Sequence, residues 1–159
     1  MIVISDTSPI TNLLQVNHLH LLEQLFEEVV ITPQVYMELC ELEFQKSTID
    51  QLNWISIVKP HDQEFIIQLE AHLDEGEASS IVLALELQAD YLLIDEYKGR
   101  AEAEKLGLKI TGIIGVLLLA KQQHYIQQIK PVLDQLKEEV GFRIHPTLYD
   151  KVLAVANEK

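Results

Sequence analysis

Short aliphatic runs, each three or four residues long and each leading toward a helix signal, constrain this chain more than any other feature. Ile2-Val3-Ile4, Val29-Val30-Ile31 and Tyr91 to Ile94 read as strands, Ile55 to Val58 as an edge strand, and Lys109 to Thr111 as a further short one. Runs this brief and apolar suit strands covered on both faces. The intervals between them carry helical signals. Ser8 reads as a cap with Pro9 at the first helical position, and Thr32-Pro33 repeats that pattern. Asp74 and Glu77 have capping-box spacing, followed by Ala78, Ile81, Val82 and Leu85 at helical period. Further helices are expected at 19–26, 45–52, 62–73, 100–106, 129–139 and 148–156, and 113–120 reads as a central helix apolar on all sides. Strands alternating with helices predict an α/β fold with a mainly parallel sheet of four or five strands.

No repeat, low-complexity tract or Gly/Ser linker divides the 159 residues, so one domain over 1–159 is expected. Cys40 is the only cysteine, which excludes an internal disulfide and a cysteine-built zinc site and points to a reducing compartment, the cytoplasm. No lysine or arginine precedes Lys46, as a secretory or transit signal would require. The longest apolar run, 110–120, is too short to span a bilayer, so no membrane role is expected.

The formal net charge is −13, and it is uneven. Residues 1–80 hold 14 acids against only Lys46 and Lys59. Such a half repels polyanions unless metal ions neutralise it, so any phosphate-facing patch must draw on the second half.

Parallel sheets place their sites beyond the carboxyl ends of the strands. Two strands here end in aspartate, Asp6 and Asp95. Either has an ordinary alternative: Asp6 as a helix cap, Asp95 as the start of a turn through Lys98-Gly99. Glu38 falls at the margin of the stripe formed by Val35, Leu39 and Leu42, with no basic residue within seven positions, which leaves a backbone cap or a metal ion as its partner. Glu77 is explained by its capping box, yet that position also sets it at a helix N-terminus facing the sheet edge. Four carboxylates from four elements converging there would raise one another's pKa and favour Mg²⁺ or Mn²⁺.

Ile-Ser-Asp6-Thr-Ser-Pro, Thr-Pro33-Gln-Val-Tyr-Met-Glu38, Asp-Glu-Gly76-Glu77-Ala-Ser-Ser-Ile and Leu-Leu-Ile-Asp95-Glu resemble, in order, the motifs of the PIN domain. The continuation through Gly-Arg100, Leu-Gly107-Leu, Thr-Gly112 and Gly115-Val-Leu-Leu-Leu-Ala-Lys121 is similar to one prokaryotic branch of that family. The resemblance implies a three-layer α/β/α sandwich and a Mg²⁺- or Mn²⁺-dependent ribonuclease, VapC-like, the toxin of a toxin–antitoxin pair. It makes Asp6, Glu38, Glu77 and Asp95 the catalytic and metal-binding acids. It further implies single-stranded RNA as substrate, an antitoxin partner and a homodimer. Two positions depart from typical toxins: Glu77 stands where Asp is usual, and Glu96 follows the fourth acid where a second Asp is common.

Thr7 and Ser8 at a helix start, and Lys98 and Arg100 past Asp95, are the candidates for substrate phosphate. As alternatives, Thr7 and Ser8 serve as caps, and Lys98 and Arg100 pair with Glu102 and Glu104. Two rival functions remain: a non-catalytic PIN-like scaffold, favoured by the net charge, and an aspartyl-phosphate phosphatase with Asp6 as nucleophile. The second is weakened by Ser8, where an Asp-x-Asp pattern would need aspartate.

Overall fold

Five parallel strands form one sheet in the order β3-β2-β1-β4-β5, and the computed structural model describes all residues, 1–159. The strands are β1 (Val3–Ser5), β2 (Val29–Ile31), β3 (Ile55–Ile57), β4 (Tyr91–Leu93) and β5 (Ile110–Thr111). Between them run α1 (Thr7–Gln15), α2 (His20–Phe26), α3 (Pro33–Leu39), α4 (Glu43–Asp50), α5 (Gln63–Leu69), α6 (Glu75–Glu86) and α7 (Tyr97–Lys105). After β5 come α8 (Ile113–Gln122), α9 (Lys130–Gln135) and α10 (Pro146–Val155), with a π-helical turn at Leu136–Val140 extending α9. This is the α/β/α sandwich with a parallel sheet that the sequence implied, and the segment at 55–58 is indeed an edge strand.

Alternation along the strands separates two cores. Val3, Val29, Ile31 and Leu93 face α1–α4 and α8–α10, whereas Ile4, Leu92 and Ile94 face α5–α7. Central β1 pairs on both sides, Ile4 matching Val30 of β2 and Leu92 of β4. Because both neighbours run parallel to it, the carboxyl ends of β1, β2 and β4 open on one edge of the sheet.

Local chemistry decides several helix starts differently from the sequence reading. α1 begins at Thr7, so Asp6, not Ser8, is the N-cap residue and Pro9 is the third residue of the first turn. α7 begins at Tyr97, three residues before the expected start at Arg100, which puts Lys98 and Gly99 inside the helix and rules out the turn offered as the ordinary alternative for Asp95. α3 stops at Leu39, and Leu42 is exposed as the N-cap of α4 instead of extending the buried stripe. Thr32 does cap α3, its hydroxyl accepting from the Val35 amide at 3.1 Å.

α8 is not buried on all sides. Ile113, Val116, Leu117 and Ala120 are buried, while Ile114, Leu118 and Leu119 are only half-buried. The latter side borders a cavity of about 690 Å³ shared with Phe26, Tyr91 and Val155. None of the four candidate acids lines it. The chain end closes this layer: Glu158 accepts from the Ile129 and Lys130 amides and from Lys121 Nζ, tying α8, α9 and the segment after α10 together. No helix is long and apolar enough to cross a membrane.

Leu117→Ala should therefore lower unfolding free energy by about 2–5 kcal/mol, the usual cost of emptying a core leucine. Leu118→Ala, half-buried at the margin of the same core, should cost less, about 1–2 kcal/mol. Urea denaturation of both variants checks which face of α8 carries the fold.

Candidate functional site

β1 and β4 each lead directly to an acid at the open edge of the sheet. The Asp6 amide donates to the Leu93 carbonyl at 2.9 Å, holding the two strand ends level, and Asp95 follows two residues after Leu93.

Asp6 occupies the N-cap position of α1, yet its side chain makes no capping hydrogen bond. The cap alternative thus fails to account for this carboxylate. It is 3% exposed, and burial pushes its pKa up to about 8. The Thr7 amide offsets part of that rise, and Asp74, Glu77 and Glu38 add to it.

Glu38, in the last turn of α3, is half-buried. Its partner within the chain is neutral: the Thr7 hydroxyl donates to Glu38 Oε2 at 2.8 Å. Burial raises its pKa, with Thr7 opposing. The first turn of α6 presses against both acids. A Cβ at Gly76 would stand 2.6 Å from Glu38 Oε1 and 3.1 Å from Asp6 Oδ1, so only glycine allows this approach. The N-terminus of α6 carries the positive end of the helix dipole and suits two neighbouring anions.

Glu77 does form the expected capping box. Its Oε1 accepts from the Asp74 amide at 3.1 Å while Asp74 Oδ1 accepts from the Glu77 amide at 2.7 Å. Its second oxygen, Oε2, turns toward Gly99 in α7. At 6% exposure, burial pushes its pKa up to about 7, the Asp74 amide offsetting part and the charges of Asp74 and Glu96 adding to the rise.

Asp95 is held from the other side. Its Oδ1 accepts from the Ile113 amide at 3.0 Å at the start of α8, and a side chain at Gly112 would collide with it. Asp95 Oδ2 is buried without any hydrogen-bond partner. Burial raises the pKa of Asp95, opposed by the Ile113 amide and by Arg100.

The structure thus gathers Asp6, Glu38 and Glu77 around the start of α6 and sets Asp95 across from them on the next strand. No three His, Cys, Asp or Glu side chains are drawn tightly enough together to form a metal-binding group. The donor chemistry nonetheless fits a hard divalent cation, since every donor is a carboxylate oxygen. Asp95 Oδ2 is a buried acceptor without a donor, the kind of atom a cation satisfies.

The four candidate phosphate contacts separate. The Thr7 hydroxyl is committed to Glu38, while Ser8 borders an open polar cleft beside it. Arg100 turns inward, Nη1 donating to the Ile94 carbonyl at 2.8 Å. Lys98 is exposed and makes no ion pair; Glu102 lies instead at 4.0 Å from Lys105. Sequence reasoning missed the close approaches at Gly76 and Gly112, although both glycines lie in quoted motifs. It also missed Gln45, a polar residue four positions before buried Ile49 and itself buried in α4, a pattern visible in the sequence.

A carboxyl whose pKa is higher folded than unfolded binds its proton more tightly in the folded state, so folding weakens as pH rises between the two values. For Asp6 that window runs from 3.8 to about 8, and for Glu77 from 4.5 to about 7. In EDTA, stability should fall from pH 5 to pH 8, and Asp6→Asn should flatten that fall. Thermal melting across this range checks it.

A search of curated proteins finds no match to the chain. A family model described as a PIN domain matches residues 2–158, nearly the whole length. With a five-stranded parallel sheet and acids at its carboxyl edge, the chain belongs to the PIN-domain family.

Proposed function

We propose that this protein is a divalent-metal-dependent ribonuclease hydrolysing phosphodiester bonds of single-stranded RNA. One observation carries the reading: Asp6 is buried at a helix N-cap position but caps nothing. An aspartate kept at that burial, with no capping hydrogen bond and only the Thr7 amide to offset its desolvation, is costly to the fold and calls for a ligand. The orphaned Asp95 Oδ2 on the neighbouring strand supports the same reading.

In this reading Asp6 and Asp95 would hold Mg²⁺ or Mn²⁺ directly, Glu77 would complete the site, and Glu38 would either join it or orient the attacking water. The chemistry supplied by the bound ion is a hydroxide at neutral pH and neutralisation of charge on the phosphate. Thr7 keeps Glu38 turned toward Gly76 through its 2.8 Å hydrogen bond. The Ile113 amide fixes Asp95 Oδ1, so that Oδ2 is the free donor. Lys98 meets the substrate backbone, while Arg100 braces the Ile94–Asp95 peptide from within. A VapC-like toxin role, an antitoxin partner and a homodimer rest on the family resemblance alone.

Mn²⁺ should raise the melting temperature, because a ligand that binds only the folded state stabilises it. Asp6→Asn should abolish manganese-dependent cleavage of labelled RNA while remaining folded by circular dichroism. Cleavage by Asp6→Asn equal to that of the native protein would defeat the assignment. Absence of cleavage by the native protein would favour the scaffold reading, and a covalent phosphoenzyme would favour the phosphatase.

Lys98→Ala should weaken RNA binding and reduce the slope of log affinity against log salt by about 0.7, the loss of one phosphate contact on a single strand. Arg100→Ala should leave that slope unchanged and lower the melting temperature instead. Anisotropy titrations over a salt series distinguish the two.

A further inference from the structure

We propose that the cleft between α1 and α4 is a nucleobase subsite, taking a base with an exocyclic amine (adenine, cytosine or guanine, as against uracil) beside the acidic cluster. It rests on the nucleic-acid reading above for its ligand, but not on hydrolysis.

The cleft, about 380 Å³, opens directly beside the Thr7–Glu38 hydrogen bond. Thr11 and Asn12 of α1, Glu41 and Leu42 of the α3–α4 turn, and Gln45 of α4 form its outer wall. Helical period explains the α1 contribution: Ile10 and Leu13 are buried in the core, while Thr7, Ser8, Thr11 and Asn12 share the cleft side. Gln45 is the decisive residue. It is 4% exposed and borders the cleft, and its side-chain amide makes no hydrogen bond within the chain. Neither amide atom of Gln45 is among the buried unpaired ones, so the small exposure of this side chain lies at its amide, where a ligand in the cleft would meet it.

The wall chemistry selects the ligand. It holds no lysine or arginine, and the Glu38 and Glu41 carboxylates repel a phosphate. The volume falls in the range of small-ligand sites, about 300–1,000 Å³. A neutral heterocycle with a hydrogen-bonding edge fits both facts. Carboxylates only accept hydrogen bonds, whereas the Asn12 and Gln45 amides and the Thr11 hydroxyl both donate and accept. An exocyclic amine therefore finds acceptors on several sides, and Asn or Gln amides pair well with the adenine edge. Uracil offers two carbonyl oxygens and one N–H, and its carbonyls would face carboxylates. On the same turn as Leu42, Phe44 is 72% exposed and offers a surface on which a base can stack.

The test is fluorescence anisotropy with labelled octamers of A, C and U, first in EDTA and then in Ca²⁺. The A and C octamers should bind on the order of tenfold more tightly than U, a factor within reach of one good amide–base pair. Gln45→Leu should remove most of that preference. Asn12→Ala, at a half-buried position, should do likewise and decides the matter if Gln45→Leu does not fold. Equal binding of the three octamers, no binding in either condition, or a preference that survives Asn12→Ala would overturn the subsite. Preferential binding of A and C without manganese-dependent cleavage would uphold the subsite while overturning the hydrolytic reading.

Discussion

Everything in this molecule that bears on chemistry depends on the double pairing of β1. Three residues, Val3 to Ser5, are paired on one side to β2 and on the other to β4. Hydrogen bonding in parallel register leaves little freedom in where the following residues emerge. The Asp6 amide continues the ladder to Leu93, so Asp6 and Asp95 are placed by the backbone before either side chain makes a contact. Both cores share this element, Val3 belonging to one and Ile4 to the other. Loosening β1 would disturb both helical layers together with the acidic edge.

That placement sets electrostatics against packing. Asp6 and Glu77 are held where their charged forms are poorly solvated, and the fold compensates only in part, through the N-terminal dipole of α6 and single amides. Asp95 and Glu38 each keep one firm hydrogen bond, from Ile113 and Thr7 respectively. Arg100 is the nearby permanent cation acting on Asp95, and its guanidinium is engaged by a backbone carbonyl. Carboxylates so placed are held against their own desolvation by the rigidity of the surrounding sheet edge and helix starts.

Much of the architecture was legible because local and long-range signals agree. The brief aliphatic strands, the Thr32-Pro33 cap and the Asp74–Glu77 box each correspond to an observed element. Disagreements arose where tertiary contacts override a local preference. Pro9 suggested a helix start two residues late, because the backbone already turns at Asp6 where β1 ends. Leu42 continued a helical period, but the chain leaves α3 at Leu39 and exposes it. The apolar run after Gly112 reads as buried all round, whereas Ile114, Leu118 and Leu119 pack at the margin of the core and stay half-buried. In the site, the residue types were legible and their partners were not. Nothing local tells that Thr7 reaches Glu38 across 31 positions, or that the bare backbone of Gly76 lets the first turn of α6 approach two carboxylates.

The capping box at Glu77 bears on how variants of this protein would read in a genetic selection. Glu77 ties down the first turn of α6 through one oxygen and turns the other toward α7. A phenotype at this position therefore mixes abundance with activity, since losing a cap alone lowers the folded population in a cell. Asp6 caps nothing, so its alleles separate the two: an inactive Asp6 allele present at normal protein level reports on the site itself. Sorting alleles by protein level before scoring them would distinguish residues that build the sheet edge from those that act on it.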